Sequence, residues 1–273
     1  MNGIQLVLCD IDSTLITDDQ RLTPYTKNII DRLHRNGIRF GIASGRPINE
    51  VNKKAKLWGF DYNFDVLIGM NGSELWDEKA HKQFDYYKLK REWMKEIIEL
   101  MEPYHSNPFI YYHDIMMCRD NDENMKRSSK KNGKEVVVVK ELKELYAEEN
   151  AKILFRIKES QMKEIEAMLE KLDAPYKGFK TQPNLIEFAD KRTSKAYALK
   201  EYCKMNEIDL QNVLAFGDTT NDNSMLECAG WGVCMANGSD DTKAVADDIT
   251  EKTNNEEGFA CYMEEHVMKK FNW

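Results

Sequence analysis

The sequence lacks a long apolar run. Nowhere do its 273 residues approach the roughly 18 consecutive apolar residues that a membrane helix needs. The chain also enters its first apolar stretch directly, without the basic segment and apolar core that a secretory signal would show. We therefore expect a cytoplasmic protein that has no membrane partner.

The cysteines and histidines also lack the spacing that is typical of metal-binding motifs. The six cysteines form no Cys-x-x-Cys pair, and the five histidines show no spacing typical of metal ligands. Several cysteines lie within apolar stretches, which favours reduced and buried thiols over disulfides. A structural zinc site is therefore not expected.

Positive charge is in short supply. The chain has 39 Lys and Arg residues against 47 Asp and Glu residues, a net charge of −8. A nucleic-acid partner would favour a basic face, so none is expected. The negative excess falls outside residues 83–184, because this segment contains 19 residues of each sign. Flanking segments this acidic need a bound cation or well-placed basic groups if they handle an anionic substrate.

The first apolar stretch ends in two acids. Asp10 and Asp12 follow an apolar run of strand length, and Ser13 and Thr14 come directly behind them. A short run of this kind predicts a buried strand, and open α/β sheets bind ligands at the carboxyl ends of their strands. Two carboxylates this close repel each other unless a cation or a shared proton neutralises them. The alternative is a strand that ends in a simple Asx turn.

Strands and helices alternate in the first and last thirds of the chain. Short loops join them, which is the pattern of right-handed parallel crossovers. Thr23-Pro24 predicts a helix start, and Pro47 opens a second helix that runs to about Trp58. These thirds therefore predict a parallel-sheet α/β fold. The strands predicted after the opening one are Ile38–Ala43, Val66–Ile68, Val213–Phe216 and Gly232–Met235, and the later helices are 194–206, 224–229 and 258–268.

The middle of the chain follows a different pattern. Strand-like runs occur in neighbouring pairs with helices beside them, which favours an α+β module with an antiparallel sheet. We predict two domains, a catalytic core of residues 1–82 and 185–273 and an inserted domain of residues 83–184. A basic run at 126–134 is either a solvated helix and loop or an anion-recruiting patch. The elements predicted in the insert are strands Phe109–Tyr112, Ile115–Arg119, Val136–Val139 and Ile153–Ile157, and helices Arg91–Met101 and Gln161–Leu172.

Polar side chains from distant parts of the chain should meet at the sheet edge, where they predict a phosphoryl-transfer site. Asp10 is the predicted nucleophile, since a carboxylate can carry a phosphoryl group covalently. Asp12 is the predicted general acid and base. Ser44 and backbone N–H groups at helix starts would hold the phosphate oxygens. Lys195 would supply compact positive charge.

Hard oxygen ligands at this edge suit Mg²⁺. Asp10 and Asp218, with a backbone carbonyl, give an octahedral site with room for water. The ion would offset the repulsion between the acids and the phosphate. Asp12 and Asp222 complete the predicted set of metal residues. Three possibilities stay open for Asp222, namely direct ligation, ligation through water, and pairing with Lys195.

These residues resemble, in order and spacing, the four motifs of the haloacid dehalogenase superfamily. The motifs are Asp10-Ile-Asp12-Ser-Thr14, the segment with Ser44, the segment with Lys195, and Gly217-Asp218-Thr-Thr-Asn221-Asp222. Further marks resemble the Cof-type branch, and these are Met70-Asn71-Gly72, Cys234–Gly238 and Asn254–Gly258. The resemblance implies a Rossmann-like core with a large α/β cap of the C2 type, inserted between the third strand and the third motif.

Four more positions are predicted to bind substrate or phosphate. Gly45 and Arg46 follow Ser44, and Asn71 and Asn221 belong to the segments just named. Alternatives remain for two of them, since Arg46 could be a surface residue at a helix start and Asn71 part of a turn.

One residue departs from the pattern. The family usually has Gly where this chain has Ser13, and serine is expected to serve because it tolerates turn conformations.

The sequence thus predicts a Mg²⁺-dependent phosphatase. Its substrates would be small phosphorylated metabolites, such as sugar phosphates or pyridoxal phosphate, and the reaction would pass through an aspartyl-phosphate. One alternative is a phosphomutase that returns the phosphoryl group to a sugar phosphate. The other is a non-catalytic protein that binds phosphorylated metabolites. The sequence makes no prediction of oligomeric state.

Overall fold

The structure, a computed structural model, describes residues 3–271. The chain divides into two compact units, one formed by the residues up to Asp85 and from Ser194 onward, the other by Tyr86–Thr193. In chain order the strands are β1 (Leu6–Cys9), β2 (Arg39–Ala43), β3 (Val66–Gly69), β4 (Glu74–Asp77), β5 (Lys82–Asp85), β6 (Asn107–Tyr112), β7 (Ile115–Cys118), β8 (Glu135–Val138), β9 (Ile153–Arg156), β10 (Tyr176–Gln182), β11 (Leu185–Asp190), β12 (Val213–Gly217), β13 (Trp231–Cys234) and β14 (Asp248–Ile249). The α-helices are α1 (Pro24–Arg35), α2 (Ile48–Val51), α3 (Lys54–Leu57), α4 (Arg91–Met101), α5 (Glu123–Asn132), α6 (Met162–Leu169), α7 (Lys195–Met205), α8 (Asn223–Cys228), α9 (Asp240–Val245), α10 (Gly258–Met263) and α11 (Lys269–Phe271).

The first unit is built on an eight-stranded sheet in the order β14-β13-β12-β1-β2-β3-β4-β5. Neighbours pair in parallel from β14 to β3, and β4 and β5 continue the sheet as an antiparallel hairpin. Strand β1 lies between β12 and β2, and all four of its residues are fully buried. A strand covered on both faces needs a continuous apolar run, and Leu6–Cys9 is such a run. The predicted α/β fold with a parallel sheet is confirmed.

Local sequence sets the helix boundaries of this unit. The Oγ1 atom of Thr23 accepts a hydrogen bond from the backbone N–H of Thr26 (3.1 Å), and Pro24 is the first residue of α1, as predicted. The single helix predicted from Pro47 to about Trp58 is wrong, because α2 and α3 are separate four-residue helices. Within residues 3–271 no helix combines the length and the apolar character that crossing a membrane requires.

The second unit has a six-stranded sheet in the order β10-β11-β9-β6-β7-β8. Four of its neighbouring pairs are antiparallel, as predicted, whereas β7 and β8 pair in parallel. Side chains of α4 and α6 form one core cluster with Ile110, Phe155 and Phe188. On the alternate positions of the strands, Phe109 and Leu154 form a second cluster with side chains from other elements, including α5.

The boundaries of the units differ from those predicted. Strand β11 pairs with β9 and β10, so the second unit continues to Thr193 rather than ending at residue 184. The strand is buried along its whole length, and its sequence therefore matched the pattern expected of the parallel sheet. On the other side, hairpin β4–β5 extends the first unit to Asp85. That the second unit serves as a cap stays a prediction.

Candidate active site

The carboxyl ends of three neighbouring strands carry predicted site residues. Asp10 follows β1, Ser44 follows β2 and Asp218 follows β12, and β1 lies between the other two strands. The pairing of β1 with β12 continues into the site, because the N–H of Asp10 donates to the carbonyl oxygen of Phe216 (3.0 Å). The strand order thus brings these residues to one edge of the sheet.

Lys195 brings positive charge to this edge. It is the first residue of α7, and Ser194 caps the helix by accepting a hydrogen bond from the N–H of Tyr197 (3.2 Å). The Lys195 Nζ donates to Oδ1 of Asp10 (2.5 Å) and to Oδ1 of Asp222 (2.6 Å). The side chains of Lys195 and Asp222 are fully buried. Of the three possibilities for Asp222, the structure contains the pairing with Lys195.

Burial and neighbouring charge set the electrostatics of these groups. Burial raises the pKa of Asp10 well above its usual range, and the ammonium of Lys195 opposes this shift. Burial also raises the pKa of Asp218 to about 6, although Thr14 Oγ1 donates a hydrogen bond to its Oδ1 (2.7 Å). For Lys195, burial favours the neutral amine, but the carboxylates of Asp10 and Asp222 outweigh it and raise its pKa. A cation beside Asp10 and Asp218 would therefore favour their ionised forms.

Three carboxylates form a group that could hold a metal ion. Asp10, Asp218 and Asp222 each offer one oxygen, and these oxygens lie within 4.8 Å of one another. Carboxylate oxygens are preferred ligands of Mg²⁺, and three negative groups exceed the charge of Lys195. The donor set and the charge therefore fit a divalent cation. Of the three carboxylates, Asp222 is held by the most hydrogen bonds, because its Oδ2 also accepts from the N–H groups of Asp218 (3.0 Å) and Thr219 (3.2 Å).

Asp12 lies apart from this group. Its Oδ1 accepts from Nη2 of Arg46 (2.7 Å) and from Nε2 of Gln20 (3.2 Å), and its Oδ2 accepts from Nε of Arg46 (3.0 Å). Its side chain is 43% exposed. Asp12 is therefore outside the group of three carboxylates, and its carboxylate is bound to Arg46. That Asp12 takes part in binding the metal stays a prediction.

The ends of β2 and β3 bring four predicted residues together. Ser44 is buried, and its carbonyl oxygen accepts from the N–H of Asn71 (3.0 Å). A Cβ atom on Gly45 would lie 3.2 Å from Oδ1 of Asn71, and that oxygen accepts from Nδ2 of Asn221 (3.0 Å). The Oδ1 atom of Asn221 is buried and has no hydrogen-bond partner among the described residues. A buried polar atom without a partner calls for water or a ligand. Their role in binding phosphate stays a prediction.

The backbone after β3 is strained where it meets α7. Met70 and Asn71 have φ values of 49° and 58°, and Gly72 has a φ of 103°. Non-glycine residues rarely adopt this region, and such strain is typical of functional sites. A Cβ atom on Gly72 would lie 2.0 Å from the carbonyl oxygen of Ser194, so only glycine allows this approach. The turn that the sequence analysis kept as an alternative for Asn71 is therefore present, and it orients Asn71 toward Asn221.

Ser13 holds the turn for which the family usually has glycine. Its φ and ψ are 60° and 5°, a left-handed conformation. Its carbonyl oxygen accepts a hydrogen bond from Nδ2 of Asn237 (2.8 Å). Serine therefore adopts the glycine-like conformation, and a long-range hydrogen bond supports it.

Three further residues contact this site without having been predicted for it. Glu50 accepts from Nη1 of Arg46 (2.6 Å), and its position four residues later in the chain was a usable signal. Gln20, eight residues after Asp12, donates to the Asp12 carboxylate, and Asn237 donates to the carbonyl oxygen of Ser13. Asn237 lies within the motif Cys234–Gly238, which was a usable signal, whereas no local pattern indicated Gln20.

A parallel α/β sheet with this edge defines a class of enzyme. It presents a buried aspartate that is bound to a buried lysine, with further carboxylates close enough to share a metal ion. This set of side chains is typical of enzymes that transfer phosphoryl groups with a carboxylate nucleophile and a divalent cation.

Comparison with known proteins identifies the family. The family described as haloacid dehalogenase-like hydrolase matches residues 7–263, and the chain belongs to it. The resemblance to this superfamily and to its Cof-type branch is thereby confirmed. The chain is an enzyme of the phosphoric monoester hydrolase class.

Curated relatives and solved structures match over nearly the full length. The Bacillus subtilis 5-amino-6-(5-phospho-D-ribitylamino)uracil phosphatase YitU is 26% identical over 96% of this chain and 97% of its own. The Escherichia coli pyridoxal phosphate phosphatase YbhA is 23% identical over 97% of this chain and 99% of its own. The crystal structure of a haloacid dehalogenase-like hydrolase from Bacteroides thetaiotaomicron superposes with a TM-score of 0.83 at 23% identity, covering 96% of this chain and 99% of that one.

Proposed function

We propose that this enzyme is a Mg²⁺-dependent phosphatase that hydrolyses small phosphorylated metabolites through an aspartyl-phosphate on Asp10. The observation that carries the proposal is the buried Asp10, hydrogen-bonded to Lys195 and placed within a group of three carboxylates. Burial beside a lysine supports Asp10 as the nucleophile, and Lys195 would offset part of the negative charge that gathers when a phosphate approaches. Asp218 and Asp222 are the residues that would hold the cation together with Asp10.

The first half of the proposed reaction forms a bond to Asp10. A carboxylate oxygen of Asp10 attacks the phosphorus atom, and the bond from phosphorus to the ester oxygen breaks. Asp12 gives its proton to that leaving oxygen, so that an alcohol departs. Ser44 and nearby backbone N–H groups would hold the other phosphate oxygens. Asp10, Asp218 and Asp222 would hold Mg²⁺, which would supply positive charge that offsets the charge on these oxygens.

The second half restores the enzyme. Asp12, now ionised, takes a proton from a water molecule that attacks the phosphorus atom. The bond between phosphorus and the Asp10 oxygen breaks, which releases inorganic phosphate and the free carboxylate. Exclusion of other acceptors during this interval would fall to the inserted unit, for which we propose the role of a cap that selects the substrate.

Relatives support only the broad class of substrate. One is named for a phosphorylated ribitylaminouracil and another for pyridoxal phosphate, so the substrate of this chain is proposed as a small phosphorylated metabolite without a single name. All six cysteines are free, as expected in a reducing compartment, and this supports the predicted cytoplasmic location.

Asp10→Asn tests the proposed nucleophile. The change keeps the size of the side chain but removes the attacking carboxylate, so turnover of p-nitrophenyl phosphate with Mg²⁺ should fall on the order of 10⁴-fold or more. Asp19→Asn, which alters an exposed acid, is the matched control and should keep its activity. Thermal unfolding would check that both variants fold.

Two further measurements complete the test. EDTA should stop hydrolysis by the unaltered enzyme, and added Mg²⁺ should restore it. A screen of phosphorylated metabolites should then release inorganic phosphate from a subset of them. Substantial activity of Asp10→Asn, or turnover that ignores EDTA, would contradict the proposal. Conversion of a sugar phosphate into its isomer, without phosphate release, would favour a phosphomutase instead.

A further inference from the structure

The guanidinium of Arg46 donates to Asp12 through two of its nitrogens. Nε and Nη2 donate to the two different oxygens of Asp12, at 3.0 and 2.7 Å, and this is a bidentate pair. The remaining nitrogen, Nη1, donates to Glu50 (2.6 Å). Gln20 closes the arrangement, because its Oε1 accepts from Nη2 of Arg46 (3.1 Å) and its Nε2 donates to Oδ1 of Asp12 (3.2 Å).

The guanidinium is itself held firmly. The Arg46 side chain is only 16% exposed, and Glu50 anchors it from a position four residues further along the chain. The backbone of Arg46 is fixed on both sides, because its N–H donates to Oγ of Ser44 (3.2 Å) and its carbonyl oxygen accepts from the N–H of Met70 (2.9 Å). Arg46 is therefore a rigid support that connects the ends of β2 and β3.

Asp12, by contrast, has little packing of its own. Its side chain is 43% exposed, whereas that of Asp10 is 10% exposed. A short carboxylate in such a place can turn about its side-chain bonds, and every misdirected rotamer would delay a proton transfer. The planar fork of an arginine fixes both oxygens of the ionised carboxylate at once, which the point charge of a lysine cannot do. When Asp12 carries the proton that it gives to the leaving oxygen, that oxygen of Asp12 leaves the fork and Arg46 holds the other one.

We propose that Arg46 is a positioning residue for Asp12, and that it acts through Asp12 rather than by contacting the substrate. The inference rests on the proposed function, because it takes Asp12 as the group that protonates the leaving oxygen. It assigns to Arg46 a role different from the substrate contact that the sequence indicates. The contribution of Arg46 should accordingly depend on how much the leaving group needs a proton.

Two phosphate esters separate these roles. The alkoxide of propyl phosphate is a poor leaving group that needs a proton, whereas p-nitrophenolate departs with little help. The ratio kcat/KM reports the steps up to release of the leaving group, so it isolates the acid role of Asp12. For Arg46→Ala, kcat/KM on propyl phosphate should fall about 10²-fold or more. On p-nitrophenyl phosphate the loss should stay below about tenfold. Arg46→Lys should recover only part of the loss, because it restores the charge without the fork.

A double-mutant cycle supplies the readout that a merely structural role would not move. In an Asp12→Asn background, Arg46→Ala should cause little additional loss on propyl phosphate, because the group through which Arg46 acts is already absent. Arg21→Ala is the matched control, since the side chain of Arg21 is 75% exposed and pairs with Asp19. It should leave both esters unaffected. Thermal unfolding of every variant checks the fold.

Several results would overturn the inference. Equal losses on the two esters, or full additivity with Asp12→Asn, would show that Arg46 supports the site as a whole. Full recovery in Arg46→Lys would show that charge alone matters. If Arg46→Ala lost activity only on substrates that carry a second anionic group, Arg46 would be a substrate-binding residue instead. If the unaltered enzyme hydrolysed neither ester nor any phosphorylated metabolite, the proposed function would fail first, and this inference with it.

Discussion

Replacing Lys195 by methionine would test how far the stability of the first unit depends on the charge balance at its catalytic edge. The ammonium is fully buried and donates to Asp10 and Asp222 at 2.5 and 2.6 Å. Methionine fills a similar volume without the charge, so both carboxylates would lose their common partner. Removing one member of a buried ion pair costs about 3–5 kcal/mol, mostly because a charge is left without compensation.

The size of this effect can be stated as a melting temperature. At roughly 2–4 °C per kcal/mol for a domain of this size, the variant should unfold about 6–20 °C below the unaltered protein. The measurement is thermal unfolding by circular dichroism in EDTA, so that no divalent ion replaces the lost ammonium. Added Mg²⁺ should then raise the midpoint more in the variant than in the unaltered protein, because a cation that binds only the folded state stabilises it.

Two comparisons make the result interpretable. Lys200→Met removes an exposed lysine from the same helix and should change the stability by less than about 0.5 kcal/mol. The double variant Lys195→Met/Asp222→Asn should be more stable than Lys195→Met alone, because it removes one of the two uncompensated charges. A Lys195→Met midpoint within about 2 °C of the unaltered protein in EDTA would refute the reasoning.

Two backbone positions give further predictions. Gly72→Ala should destabilise the protein by about 3 kcal/mol or more in urea unfolding, because its Cβ would meet the carbonyl oxygen of Ser194 at 2.0 Å. The control is Gly133→Ala, which should cost only about 1 kcal/mol, because Gly133 has a positive φ but open space around it. Equal costs for the two variants would argue against the clash. Ser13→Gly should change stability by less than about 1 kcal/mol and keep activity, since relief of the left-handed conformation offsets the added freedom of the unfolded chain. Ser13→Val should be clearly destabilising, and a neutral result would contradict the left-handed assignment.

Much of the first unit could be predicted because its strands are buried on both faces. Runs such as Leu6–Cys9 and Val213–Gly217 contain only residues that tolerate full burial, and such runs stand out in a sequence. Strands at a sheet edge carry no such pattern. Tyr176–Gln182 and Lys82–Asp85 are largely exposed and were missed. Strand Leu185–Asp190 falls within the range predicted for the core, although it pairs with β9 and β10, because burial does not say which neighbour a strand will pair with.

The helix predicted after Pro47 failed for a local reason. The break falls at Asn52 and Lys53, and asparagine is a weak helix former because its side chain competes for backbone hydrogen bonds. At the site, the residue types were predictable from motif spacing, whereas the direction of long side chains was not. Arg46 meets a carboxylate 34 residues earlier in the chain, and no sequence pattern fixes that choice.

The two acids of the first motif lie in different environments although both have extended backbone angles. Asp10 and Asp12 have φ of −65° and −74° and ψ of 164° and 131°. Residues two apart on a regular strand would point to the same side, but β1 ends at Cys9, before both acids. Asp10 meets the buried Lys195, whereas Asp12 meets Arg46 and is more exposed. Because the regular strand does not continue through the motif, the two side chains can take different directions.

This difference in environment would allow a single strand end to serve the two proposed chemical roles. A nucleophile must be shielded from water and held next to positive charge, whereas a group that exchanges protons with a leaving group and with water must stay accessible. The left-handed turn at Ser13 then takes the chain away from both acids. Inserting or deleting one residue between Asp10 and Asp12 would move one of the two carboxylates away from its partner, Lys195 or Arg46. We expect the division of roles to depend on this spacing more than on the identity of Ile11 between them.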